Sequence, residues 1–432
     1  MAPFFKLQNV IKHYDWGSPE WIPGLLGKPN TGGLPWAELW MGVHPGGPSV
    51  VKDGGETLAA LIEQNPSYLG REILDEFGAL PYLFKLLAVA KPLSIQVHPG
   101  LDQARKGWER ENKLGIPLSG ANRNYKDPNH KPEILCALSP FTAMCGFRPL
   151  PEISLLCKLF FSRASPSLAG ILPRLLSRLL PGFLPSPAEP DNPALSQNPA
   201  GVLRNFLQTL LGLSGEYRRA LGQYAREARE GLTREYGEYR EIWDLCAFFG
   251  ELYPEDPAVI SPLYLNLIHL AAGEAVYLPP GVLHAYIRGF GVELMANSDN
   301  VLRGGLTPKH IDPGELLRIL NFSAEGPVII RPSMAGDDPR CSFFQYPAPC
   351  REFSLSVLQS RNGRGSIPEK GPLILIVTEG QAALSGDDRG ETMLLDQGEA
   401  AFIPAREGGP PLSFSGTYTL YAAGPGSGVS GP

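Results

Sequence analysis

The chain has 432 residues, a net charge of −6 and 43% hydrophobic residues. About one domain per 150 residues predicts two or three domains, each large enough to need no disulfide or metal staple. Charged residues make up 19% while glycine (49) and proline (44) are in excess; this reads as many short strands and turns, and the absence of a basic stripe argues against a nucleic-acid partner.

Three zones follow one another. Residues 1–150 are rich in Gly, Pro and short apolar runs, such as 81–90 and 93–97. Residues 93–98, Leu-Ser-Ile-Gln-Val-His, alternate strictly. As a strand they put Leu93, Ile95 and Val97 on one face and Ser94, Gln96 and His98 on the other. An edge strand facing water would alternate too, but Gln96 and His98 at i, i+2 project in parallel, as two ligands of one metal must. Residues 125–133, Tyr-Lys-Asp-Pro-Asn-His-Lys-Pro-Glu, are dense in functional groups; a solvated loop is the competing reading. From 151 to about 255 the period becomes helical: Leu203, Phe206, Leu207, Leu210 and Leu211 recur at helix spacing, as do Tyr217, Leu221, Tyr224 and Ala228. A proline-rich stretch, 181–199, reads as a surface loop within these helices.

From Val276 onward the strand-and-turn texture returns. Residues 270–279 (Leu-Ala-Ala-Gly-Glu-Ala-Val-Tyr-Leu-Pro) resemble 395–404 (Leu-Asp-Gln-Gly-Glu-Ala-Ala-Phe-Ile-Pro), a repeat of a Gly-Glu turn and a short strand ended by proline. The copies then diverge. The first runs on through Gly281 to His284, whereas the second has Arg406 and Gly409 at those places. No histidine follows His310, so the last hundred residues are expected to hold no imidazole metal site.

The six cysteines, Cys136, Cys145, Cys157, Cys246, Cys341 and Cys350, form no CxxC pair and read as small buried hydrophobes in a reducing compartment. The N-terminus lacks the pattern of a signal peptide, and the apolar stretch 168–184 is broken by Pro173, Arg174, Arg178 and Pro181. A soluble, cytoplasmic, monomeric protein with no membrane partner is expected.

The cluster Gly273-x5-Pro279-x-Gly281-x2-His284 is similar to the second sequence motif of cupins, which directs such a histidine into a β-barrel mouth. Residues 125–133 and the long run from His284 to Lys309 resemble the signatures of type I mannose-6-phosphate isomerases. That family usually has Arg-Ala-Gly where this chain has Arg303-Gly304-Gly305. Residues 14–17 (Tyr-Asp-Trp-Gly), 37–45 and 83–87 look like the same family.

The resemblance implies a mainly β fold of two cupin-type jelly-roll barrels plus an α-helical domain. The catalytic domain would comprise 1–151 and 256–330, the helical insertion 152–255, and a non-catalytic cupin-like domain 331–432. It implies one zinc ion per chain, held by Gln96, His98, Glu133 and His284. Two imidazoles and a carboxylate suit Zn²⁺, and an open position marks a catalytic site. The implied reaction interconverts mannose 6-phosphate and fructose 6-phosphate through an enediol. Arg303 would stabilise its charge, with Lys131 as base and His130 and Glu293 as rivals; Lys131 serving phosphate or hydroxyl binding is the other reading. Lys85, Ser94 and Lys309 would bind phosphate at the pocket rim, and Trp16, Glu38 and Tyr286 would line the sugar. The alternatives are a cupin of another class, either an iron oxygenase or a sugar-binding, regulatory cupin.

Overall fold

A computed structural model describes residues 4–163, 174, 198–334, 340–368, 371–386, 392–406 and 411–426. Most of the expected proline-rich loop, nearly all of the apolar stretch 168–184 and Gly409 lie outside the described residues. Among the described residues, no helix is long and apolar enough to cross a membrane.

The architecture is mainly β, with two sheets and a block of helices. One sheet runs through Tyr82–Val89, Glu133–Ala137, Phe141–Phe147 and the 13-residue strand His284–Ala296. Tyr82–Val89 is a continuous apolar run buried along its whole length, as a strand covered on both faces must be. His284–Ala296 joins two sets of partners. Its first turns pair with Ile95–Val97 and Phe141–Phe147, and the remainder, from Gly289, pairs with Tyr82–Val89 and Glu133–Ala137. The change of partners falls at a register shift between Tyr286 and Arg288. Gly289 follows with φ 142°, and a Cβ there would stand 2.4 Å from the Phe141 ring. Only glycine lets the strand bend past that ring.

Among the described residues, four helices fall where the period changes, whereas Leu58–Gln64, Arg71–Phe77, Leu101–Lys113 and Pro313–Ile319 lie in zones that read as strands and turns. Leu150–Phe160, Pro199–Leu211, Gly215–Glu235 and Arg240–Leu252 pack their apolar stripes together, with Leu203, Phe206, Leu207, Leu210, Leu211, Leu221, Tyr224 and Ala228 buried. The Asn198 side chain caps Pro199–Leu211 by accepting from the Gly201 N–H. The same hydrophobic cluster continues into Ile95, Val97, Leu283, Ala285 and Leu302. The helical block is thus the backing of the strands that carry the candidate ligands.

The second sheet contains Cys341–Tyr346, Ser354–Ile367, Leu373–Ser385, Ala400–Ile403 and Leu412–Gly424. Both copies of the repeat become a turn and a strand: Gly273 (φ 87°) precedes Ala275–Leu278, and Gly398 (φ 82°) precedes Ala400–Ile403. The sequence assigned residues 1–151 to the catalytic unit, yet Phe5–Gln8 pairs with Ala400–Ile403 and with Val50–Val51, all within the second sheet. The chain crosses to the first sheet only at Val10–Lys12, which pairs with Glu38–Met41. One hydrophobic cluster is shared between the sheets, including Tyr82, Phe84 and Ile134 from the first and Tyr346, Ile374 and Tyr421 from the second. Across that boundary, the Tyr82 hydroxyl lies 3.0 Å from the carbonyl oxygens of Pro372 and Ala423.

Candidate metal centre and catalytic pocket

His98, Glu133 and His284 come from three different stretches of chain and are all buried. His98 follows the strand Ile95–Val97, Glu133 opens Glu133–Ala137 and His284 opens His284–Ala296. Their ligand atoms lie within 4.8 Å of one another. The Glu133 carboxylate stands 3.4 Å from His98 Nε2 and 3.3 Å from His284 Nε2. Gln96 is registered opposite His284 on one side and opposite Arg303 on the other, so these three residues form one row across three strands.

The tautomers follow from the partners. A carbonyl oxygen only accepts, so His98 Nδ1–H donates to the Asn300 carbonyl at 2.7 Å, and His284 Nδ1–H donates to that of Val282 at 3.1 Å. With Nδ1–H so directed, the neutral form of either ring has its lone pair on Nε2. His98 Nε2 is buried without a hydrogen-bond partner, an arrangement that costs free energy unless something electrophilic accepts the lone pair. Burial first, and then the charge of Lys131, hold the His98 pKa down to about 4. Burial would raise the Glu133 carboxyl, but Lys131, His98 and His284 outweigh it and hold it well below the usual range. Two neutral imidazoles and an ionised carboxylate are the protonation states that a metal requires. The donor set fits a divalent cation.

Around this group, Lys131 is buried with Nζ 3.0 Å from Glu133 Oε1. Arg303 is half-buried on the strand Leu302–Gly305, and burial lowers its pKa without threatening its charge. At Gly305 a Cβ would stand 2.1 Å from that of Ala258, so the second glycine is sterically required. At Gly304 a Cβ would meet Leu283 at 3.0 Å, so the missing methyl leaves no hole to fill. Tyr286 is buried, with its hydroxyl lacking a hydrogen-bond partner and its pKa raised by burial and by the nearby Glu293. Trp16 is half-buried and stacks on Tyr14 at 5.7 Å; buried Glu38 accepts from Trp40 Nε1 at 2.5 Å. Ser94 is half-buried and Lys309 exposed, the latter lining a cavity with Thr307 and Arg218.

Three residues stand differently from expectation. Lys85 is not at a rim: it is buried and ion-paired at 3.0 Å to Glu293, its cross-strand partner. Burial would lower the Lys85 pKa, but Glu293, Glu38 and Glu133 outweigh it and raise it. Glu293, a rival base, is therefore the counter-ion of a buried lysine. His130, the other rival, directs Nε2 to Glu352 at 2.5 Å. The sequence reasoning placed Asn300 only among polar residues expected to line a wet pocket, yet it is fully buried. Its amide accepts from Lys126 N–H and donates to the carbonyls of Asp127 and Asn129, while its own carbonyl orients His98. It also overlooked His44, buried against Trp40 and 3.4 Å from Asp299. For Asn300 the signal was the unusual polarity of its segment, which marks a site but not the pairing within it; the apolar and glycine-rich surroundings of His44 gave none.

The fold and the buried His–Glu–His group define a mainly β protein with a metal-competent pocket backed by helices. Residues 4–150 match the phosphomannose isomerase type I catalytic domain. The mannose-6-phosphate isomerase of Escherichia coli K12 is 37% identical over 409 residues, covering 93% of this chain and 95% of that protein. Mannose-6-phosphate isomerase 1 of Arabidopsis thaliana is 31% identical, covering 97% and 93%. A zinc-bound crystal structure of mannose 6-phosphate isomerase superposes with a TM-score of 0.82 at 35% identity, covering 98% of this chain and all of that one. The chain belongs to the type I phosphomannose isomerase family, that of the mannose-6-phosphate isomerases.

Proposed function

We propose that the chain is a zinc-dependent aldose–ketose isomerase that interconverts mannose 6-phosphate and fructose 6-phosphate by proton transfer through an enediol. The observation that carries this reading is the unpartnered, buried Nε2 of His98 facing the same small space as His284 and Glu133. Gln96, His98, Glu133 and His284 would hold one zinc ion. When bound, the ion supplies a Lewis acid that polarises a sugar oxygen and draws charge from the Glu133 carboxylate beside Lys131.

The chain's own groups do the rest. Lys131 is the proposed base: as the neutral amine, which a nearby dication and burial would favour, it would take the proton from C2 and return it at C1. Its Nζ lies 3.0 Å from a ligand carboxylate, whereas His130 directs Nε2 to Glu352 and Glu293 pairs one oxygen with Lys85; of the three, Lys131 is the one paired with a proposed metal ligand. Arg303 offers a fixed cation to the enediol's developing charge. Tyr286, Trp16 and Glu38 line the sugar, with Ser94 and Lys309 toward the phosphate. Lys85 is held in the interior by its ion pair with Glu293. The two sheets support a reading as two cupin-type barrels, with 152–255 as a helical insertion and 331–432 as a domain without metal.

The test is coupled turnover of mannose 6-phosphate before and after chelation, with zinc and iron assayed on the same sample. Turnover should vanish on chelation and return with zinc. Turnover indifferent to chelation, oxygen uptake with iron, or metal binding without turnover would each overturn the proposal.

A further inference from the structure

The segment carrying Lys131 is anchored unevenly. Upstream, Asn300 and Ser298 hold Asp127 and Asn129. Downstream, the Pro132 carbonyl accepts from Ala296 N–H, and Glu133 enters its strand. Between them, among the described residues, the backbone groups of His130 and Lys131 make no hydrogen bond. What holds these two residues is their side chains: Lys131 on Glu133, and His130 on Glu352, a residue 222 positions later.

Glu352 lies between Cys341–Tyr346 and Ser354–Ile367 of the second sheet. Its Oε2 accepts from Arg351 N–H at 3.2 Å, which leaves Oε1 for His130 Nε2 at 2.5 Å. Arg351 in turn pairs with Glu76 at 2.6 Å, so the loop that offers Glu352 is tied back to the catalytic half. An ionised carboxylate can only accept, so a neutral His130 paired with it carries its proton on Nε2 and keeps its lone pair on Nδ1.

We propose that Glu352, from the C-terminal half, is a positioning residue for the isomerisation. It fixes the tautomer and orientation of His130, and through the adjoining peptide it fixes Lys131 over the ligand group. This rests on Lys131 as the base. The C-terminal half thereby contributes to turnover by one carboxylate, besides covering apolar surface. A misplacement of about 1 Å at a reacting group can cost on the order of 10²-fold in rate.

The test compares the full-length zinc enzyme with Glu352→Ala and Glu352→Gln, reading kcat, KM, zinc content, thermal midpoint and the ¹⁵N signals of His130, assigned by difference from His130→Asn. In Glu352→Ala, kcat should fall roughly 10- to 100-fold, with KM, zinc and midpoint little changed and the Nε2–H signature of His130 lost. Glu352→Gln, whose amide oxygen still accepts, should recover most of kcat and the signature. Glu352→Ala added to His130→Asn should cost little more than His130→Asn alone, because the two act as one unit. Should Glu352→Ala fail to fold, the Gln variant and its ¹⁵N signature decide. Unchanged kcat, an unchanged tautomer, or a fall in kcat that merely tracks lost zinc or a lowered midpoint would overturn the proposal. Lys131→Met separates the two claims: if it keeps full turnover the base assignment fails, whatever Glu352 does.

Discussion

His98 and His284 each commit Nδ1 to a backbone carbonyl and turn Nε2 toward Glu133, and His98 Nε2 is left without a hydrogen-bond partner. Replacing His284 by Ala should therefore empty the metal site and abolish isomerisation while the strand persists; zinc analysis and circular dichroism on one sample check this, and full activity with stoichiometric zinc would contradict it. Arg303 poses a finer question. Arg303→Lys keeps a charge but loses the planar fork, so turnover should fall on the order of 10²-fold or more, with zinc content unchanged. Steady-state kinetics would show instead a rise in KM alone if Arg303 only binds substrate. At this scale part of the site was legible: the alternation of 93–98, the polar density of 125–133 and the Gly-Pro-Gly-His spacing each drew attention to a segment, and the structure brings His98, Glu133 and His284 from them within 4.8 Å of one another. The hidden parts were pairings. Asn300 meets Lys126, Asp127 and Asn129 from more than 170 positions away, and Lys85 looked like a surface cation until its register opposite Glu293 buried it.

Among the elements, the helices of 151–255 followed their period, since a stripe of Leu203, Phe206, Leu207 and Leu210 has only one way to be buried; Leu101–Lys113, with few apolar residues to mark a stripe, did not announce itself. Sheet membership did not follow from period. Nothing within Phe5–Gln8 says that it pairs with Ala400–Ile403. The pairing is reinforced by Glu399, whose carboxylate binds Lys6 at 2.7 Å and Lys52 at 2.8 Å. Burial would raise the Glu399 pKa, but Lys52 and Lys6 outweigh it and bring it from the ordinary 4.5 to about 2. A carboxyl depressed in the folded state stabilises above its unfolded pKa and ceases to do so as pH falls toward the folded one. Glu399→Gln should accordingly lower the urea midpoint at pH 7 and low salt, with the difference shrinking as pH drops from about 4.5 toward about 2. A deficit that stays constant with pH would mean that shape, not charge, holds the strand.

The molecule as a whole is less divisible than its three textures suggested. The sheets share a core in which Tyr82, Phe84, Tyr346, Ile374 and Tyr421 meet. Truncation after about residue 330 should leave that face bare and Phe5–Gln8 without its main partner. The product should be poorly soluble and should bind an apolar-surface dye; a soluble fragment that holds zinc and turns over normally would show that the second sheet serves another purpose.

The pairing of Phe5 with Phe402 also sets a clock. During synthesis at about 5–20 residues per second, the first strand emerges roughly 20 to 80 s before its partner exists. Throughout that interval Phe5–Gln8 has only Val50–Val51 to pair with, and the shared core lacks one of its walls. Elements whose partners lie close in sequence, such as the paired helices Gly215–Glu235 and Arg240–Leu252, can settle early. The sheet that closes over Phe5–Gln8 cannot. A strand made late thus completes one made early, and the nascent protein is exposed to misassembly until Ala400–Ile403 has emerged.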